Sequence, residues 1–227
     1  MFRQVLAFVR SPAPPEYSAQ GREARARLFA IVFALDVAIA ALLICCQLLA
    51  EGLGADLPEI EKLDMSPVAF AFAAVVVMPV LEEIVFRGWL SGRKPDLEFA
   101  GGAAVLFLIA SLIGALGLVS DEGLAALALG GLFLLWLRWL TRRRDTSQVP
   151  DWFARHYGRI VYASALIFGS VHLTNFDGFH PDNLLMVVPQ TVGGLLLAFT
   201  RTRLGLGAAM VQHALFNALF LSVDPYI

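Results

Sequence analysis

The stretch PVAFAFAAVVVMPVLEEIVFRGWL, residues 67–90, decides how the rest of this chain is read. It is long and apolar enough to cross a bilayer as a helix, which takes about 20 mostly apolar residues. Yet it carries Glu82, Glu83 and Arg87 near its end. A charged group at the centre of a bilayer costs at least about 2.5–3.5 kcal/mol, so such groups mark function by default. Pro79, within the same stretch, removes a backbone donor and is expected to kink the helix.

Working outward, further apolar runs occupy residues 28–50, 99–119, 123–140, 160–173, 184–200 and 204–223. With 67–90 they make about seven spans. The composition agrees: 58% hydrophobic, 16% charged, mean hydropathy +0.71. A soluble domain is nearer about 45–50% apolar and 25% charged. The expected fold is all-α, a polytopic membrane helical bundle around an intramembrane cavity. Residues 1–27 form a cytoplasmic N-terminal segment and 28–227 the membrane domain. The first segment is polar and proline-bearing, unlike a signal peptide, and the run after it is too long for an h-region. Cys45 and Cys46 are adjacent in an apolar run and point in different directions on a helix, which argues for inert thiols. The segment 141–159 is basic and bears Trp152 and Tyr157, so it reads as a loop with an interfacial helix.

Orientation follows from Lys and Arg. With the N-terminus in the cytoplasm and the spans alternating, sixteen of the 17 basic residues fall inside: Arg3, Arg10, Arg22, Arg25, Arg27, Arg87, Arg93, Lys94, Arg138, Arg142, Arg143, Arg144, Arg155, Arg159, Arg201 and Arg203. Lys62 alone falls outside, where Glu51, Asp56, Glu59, Glu61, Asp64, Asp121, Glu122, Asp177 and Asp182 lie. The C-terminus is then outside. The basic face is a topology signal with some affinity for anionic lipid, and it needs no nucleic-acid partner. A bacterial inner membrane is the expected location.

The ionisable groups inside the spans are Asp36, Glu82, Glu83, Arg87, His172 and His213, with Asn217 as polar company. At 1.5 Å per residue, Glu82 and Glu83 lie roughly 10–12 Å from the inner boundary, His213 about 13–14 Å and His172 about 18 Å. Three helices thus bring acids and imidazoles to similar depth. Glu83 and Arg87 are i, i+4 with the acid first, the favourable order for a pair. His213 and Asn217 share a helix face by the same spacing, as do Phe168 and His172. Asp36 has no evident partner and reads as a structural residue bonding a neighbouring helix.

A carboxylate, two imidazoles and a carboxamide in one cavity suit peptide hydrolysis. Glu82 can take a proton from water, with His172 sharing or orienting that water. His213 and Asn217 can donate hydrogen bonds to the tetrahedral oxyanion. Alternatively, Glu82, His172 and His213 could hold Zn²⁺, although the His-Glu-x-x-His spacing that pre-organises such sites is missing. Residue types alone leave both mechanisms open.

Three motifs then line up in order, each on an expected span. Glu82-Glu83-Ile84-Val85-Phe86-Arg87 resembles Glu-Glu-x-x-x-Arg, Phe168-Gly169-Ser170-Val171-His172 resembles Phe-x-x-x-His, and His213-Ala214-Leu215-Phe216-Asn217 resembles His-x-x-x-Asn. Together they are similar to the CPBP or Abi group of CAAX prenyl endopeptidases and bacteriocin-processing or immunity proteins, over about residues 67–223. The resemblance implies an intramembrane endopeptidase acting on a membrane-associated peptide or protein, glutamate-dependent or metal-dependent. Glu82 and His172 would activate the water, His213 and Asn217 would form the oxyanion hole, and Glu83, Arg87 and Phe168 would support them. Nothing in the sequence indicates a prenyl group. The basic segment 141–159 and the loop 175–182 with His180 are unfamiliar and bear on substrate access. The competing classes are a proton-coupled transporter or channel subunit, for which the expected inverted repeats are missing, and a catalytically silent immunity or scaffold protein of the same fold.

Overall fold

The computed structural model describes residues 1–15, 21–55, 58, 65–144, 149–176 and 182–223. Lys62, the acidic residues Asp56, Glu59, Glu61, Asp64 and Asp177, His180 and the C-terminal Ile227 lie outside the described residues. Ten α-helices are described, and no strand occurs among the described residues: α1 (Phe2–Arg10), α2 (Arg22–Gly52), α3 (Pro67–Phe72), α4 (Met78–Arg87), α5 (Lys94–Ala115), α6 (Asp121–Arg142), α7 (Asp151–Val171), α8 (Asn183–Met186), α9 (Val188–Leu204) and α10 (Leu206–Val223). Among the described residues, six helical stretches are long and apolar enough to cross a membrane: Arg22–Gly52, Pro67–Ser91, Lys94–Ala115, Glu122–Arg142, Asn183–Leu204 and Leu206–Val223. This is a multi-pass integral membrane protein built of helices.

The seventh expected span, 160–173, falls in α7, which is not among those six. Its 21 residues begin at Asp151 and include Arg155, His156 and Arg159. The expected interfacial helix and the expected span are therefore one continuous helix. Phe153, Tyr157, Val161, Ala165 and Phe168 are buried along one stripe, at the three-to-four-residue spacing of an amphipathic helix. The helix closes at Val171, and His172 opens a 3₁₀ turn, His172–Asn175.

The chain divides into two compact units, Met1–Leu90 with His156–Ile227, and Ser91–Arg155. In the second unit, α5 and α6 pack as a hairpin. Asp96 gathers Ser91 Oγ (2.6 Å), the Arg93 guanidinium (2.9 and 3.0 Å) and Trp139 Nε1 (2.7 Å) around its carboxylate. Glu98 pairs with Arg138 and Arg142.

The first unit holds every residue that the sequence marks as functional. Its centre is α9, on which α1, α2, α4, α8 and α10 all pack. Leu196 to Thr202 are buried without interruption, the mark of a helix covered on all sides rather than along one stripe. α1 uses Val5 and Phe8 as its buried face, and the Phe8 ring meets Phe199 edge-on, centroids 5.3 Å apart. The polar N-terminal segment is thus partly an ordered helix.

The stretch 67–87 is three consecutive helical segments. Ser66 caps α3, its Oγ accepting from Ala69 N at 3.3 Å, and Pro67 takes the first turn, where its missing N–H leaves no gap. A single π turn, Ala73–Val77, separates α3 from α4. It sits one turn before Pro79, so the irregularity that Pro79 demands is taken up as a local change of hydrogen-bond register.

Candidate active site

α4 presents Glu83 and Arg87 on its buried face; both side chains are fully inaccessible. Arg87 Nη1 donates to Glu83 Oε1 at 2.7 Å, as the i, i+4 spacing predicts. The face of the guanidinium lies over the Phe168 ring, 3.9 Å from its centroid, so ring electrons meet the part of the cation that carries no hydrogen bond. Gly194 of α9 makes this stack possible. A Cβ there would stand 3.0 Å from both Arg87 Nη2 and Phe168 Cδ1.

Glu83 has a second partner that its position on α4 does not reveal. His213 of α10 brings Nδ1 to 3.0 Å from Glu83 Oε1. A carboxylate paired with arginine accepts, so Nδ1 is the donor, and the reactive nitrogen is Nε2. That nitrogen lies 3.6 Å from Glu82 Oε2. One imidazole thus spans the two adjacent glutamates. Arg87, Glu83, His213 and Glu82 form a continuous chain of polar contacts, and pairing of this kind limits the cost of placing charge inside the membrane. Of the two acids, Glu82 keeps 19% of its side chain exposed and Glu83 none.

His172 enters from the end of α7. Its Nδ1 lies 2.8 Å from the carbonyl oxygen of Phe168; a carbonyl only accepts, so Nε2 keeps the lone pair. Phe168 meets both imidazoles, its ring centroid 4.8 Å from His172 and 5.9 Å from His213, edge-on to both. Glu82 and His172 interact electrostatically. The structure therefore brings together Glu82, Glu83, Arg87, Phe168, His172 and His213. Asn217, expected beside His213 as a donor into the site, gives one Nδ2 hydrogen to the carbonyl oxygen of Ala74 at 2.8 Å.

The donor set bears directly on the zinc alternative. Among the described residues, no group of three His, Cys, Asp or Glu side chains is arranged to hold a metal ion. Glu82, His172 and His213 do not form a three-donor cluster.

Four participants escaped the sequence reading: Gln212, Thr200, Arg201 and Ser164. Asp36 of α2, buried, accepts from Gln212 Nε2 at 2.8 Å, and Gln212 Oε1 accepts from Thr200 Oγ1 at 2.5 Å. The partner left open for Asp36 is thus the residue next to His213. Arg201 of α9 closes the C-terminal end of α4, with Nε donating to Arg87 O at 2.9 Å and Nη2 to Gly88 O at 3.0 Å, where the last carbonyls of a helix lack partners. Ser164 Oγ donates to Phe86 O at 2.7 Å. Buried Gln, Thr and Arg in apolar runs were the available signal, but only their partners reveal which helix each one serves.

Fold and site together make this a polytopic helical membrane protein with a Glu-Glu-His cluster contributed by separate helices. The family model described as type II CAAX prenyl endopeptidase Rce1-like matches residues 64–145 and 148–219, and the chain belongs to this family of membrane proteases. No curated protein and no solved structure matches the chain.

Proposed function

We propose that this protein is an intramembrane endopeptidase in which Glu82 activates the attacking water, acting on a membrane-associated peptide or protein. The observation that carries this reading is the His213 bridge: one imidazole set between a sealed, arginine-paired Glu83 and a partly exposed Glu82. It gives two neighbouring carboxylates different environments and hence different tasks.

Glu82 accepts a proton from water while the water oxygen attacks the scissile carbonyl carbon. His172, with Nε2 free as an acceptor, orients that water through its second hydrogen. His213, protonated on both nitrogens, donates from Nε2 to the tetrahedral oxyanion and is held in place by Glu83. Collapse breaks the C–N bond, and Glu82 returns its proton to the leaving amine. Arg87 fixes Glu83, and the Phe168 ring supports Arg87. The N-terminus and the basic loop ends face the cytoplasm in this reading, which supports a site entered from that side.

The test uses an internally quenched peptide ending in Cys-aliphatic-aliphatic-X, with and without a farnesyl group, presented to purified protein in lipid nanodiscs. Glu82→Gln keeps the shape and removes the base, so cleavage should fall by about 10²–10⁴ with the melting temperature unchanged. Parent-level cleavage by Glu82→Gln refutes the assignment. Cleavage of both probes by the parent means that the prenyl group is not required.

A further inference from the structure

The π turn at Ala73–Val77 leaves one backbone group without a helical partner, and its location is set by Pro79. In the turn, Met78 N–H bonds to Ala73 O, five residues back. Continuing that register, Ala74 O would take the N–H of residue 79. Residue 79 is proline and has none. In the ordinary α register Ala74 O would take Met78 N–H, which is already committed. The Ala74 carbonyl is therefore left over by the chain's own covalent chemistry, inside an apolar surround where an unmade hydrogen bond is costly. Asn217 Nδ2 donates to this oxygen at 2.8 Å.

We infer that Asn217 is a positioning residue: it satisfies the carbonyl that Pro79 orphans, and so locks α10 against the helix that carries Glu82 and Glu83. Asn217 lies one turn beyond His213 on α10, and Ala74 lies two turns before Glu82 and Glu83. The two cross-links, Asn217 to Ala74 and His213 to Glu83, join the same pair of elements. Gln212, bonded to Asp36 and Thr200, holds α10 beside His213, and the link from Asn217 fixes its register one turn further along. The amide thus acts on catalysis through the placement of His213 Nε2 beside Glu82. The inference rests on the proposed protease reading only for its rate consequences; its structural half stands apart from it.

Pro79 supplies the test. Pro79→Ala restores an N–H that can bond Ala74 O directly, so the second substitution should make Asn217 dispensable. Parent, Asn217→Ala, Pro79→Ala and the double variant are compared by thermal unfolding in detergent and by cleavage of the quenched peptide. Asn217→Ala should lower the melting temperature by several degrees and the rate about tenfold, seen in kcat more than in KM. Pro79→Ala should then recover most of both losses. If Asn217 instead donates to the reacting oxyanion, Pro79→Ala cannot replace it. A double variant as slow and as unstable as Asn217→Ala therefore overturns the inference, and so does an Asn217→Ala protein that matches the parent in both measurements. If Asn217→Ala yields no folded protein, recovery of folded protein in the double variant supports the inference and its failure overturns it. A parent that cleaves neither probe counts against the protease reading alone, because the unfolding comparison still decides the role of Asn217.

Discussion

At the scale of single residues, Glu82 and Glu83 show how one peptide bond separates two roles. They project about 100° apart around the helix. Glu83 faces inward to Arg87, and Glu82 keeps part of its side chain exposed. Glu83→Gln should therefore behave unlike Glu82→Gln. It retains an acceptor for His213 but leaves the fully buried Arg87 cation without a counter-charge. Breaking a buried pair from one side costs about 3–5 kcal/mol, and the expected outcome is a melting temperature lower by roughly 10 °C together with reduced yield. Replacing both partners, Glu83→Leu with Arg87→Met, should return much of that stability while activity stays lost, because His213 Nδ1 then has no acceptor. Differential scanning fluorimetry in detergent beside the peptide assay distinguishes these cases. An unshifted melting temperature for Glu83→Gln would move Glu83 out of the structural role.

At the scale of elements, the site depends on how closely α7 and α9 approach. Gly169 lies on α7 between Phe168 and His172. A Cβ there would fall 2.0 Å from Thr191 Oγ1, 3.1 Å from Thr191 Cβ and 3.2 Å from the Thr191 backbone on α9. A hydroxyl could rotate away, but backbone cannot, so the helices themselves must part. Gly169→Ala should cost about 1–3 kcal/mol and should slow cleavage by displacing Phe168 and His172 from Arg87 and His213. Thr191→Ala should relieve only part of the loss, since the backbone still stands in the way. The measurement is the melting temperature of the two single variants and the pair. A Gly169→Ala protein as stable as the parent would mean that the approach of α7 to α9 is not limiting.

At the scale of the whole molecule, the charge distribution makes an orientation prediction. α6 runs from its cap at Ser120 to Arg142 over 22 residues, about 33 Å at the helical rise, which is enough to cross the hydrocarbon core. Single cysteines are placed at Ser120 and at Arg143 after Cys45 and Cys46, both exposed, are replaced by serine. A membrane-impermeant thiol reagent added to intact cells should label position 120 and spare position 143 until the membrane is opened. Labelling of both positions from one side would refute the alternation of spans and with it the cytoplasmic N-terminus.

The sequence by itself determined the class of molecule. Apolar runs of spanning length have no stable alternative to helices in a bilayer, because lipid offers backbone groups no partners, and the i, i+4 spacing of Glu83 and Arg87 already contains their ion pair. The three motifs also picked out residues that the fold brings together. Other features depended on the meeting of distant segments, which local spacing does not encode. The sequence could not show that His213 reaches both glutamates, since that requires α10 to lie against α4 at one rotation. Nor could it name Gln212 as the partner of Asp36, 176 positions away, or Arg201 as the cap of α4. It read Asn217 by its neighbour His213, one turn away on the same helix. The tertiary structure joined Asn217 to Ala74, because a proline five residues beyond that alanine leaves a carbonyl that only another helix can satisfy.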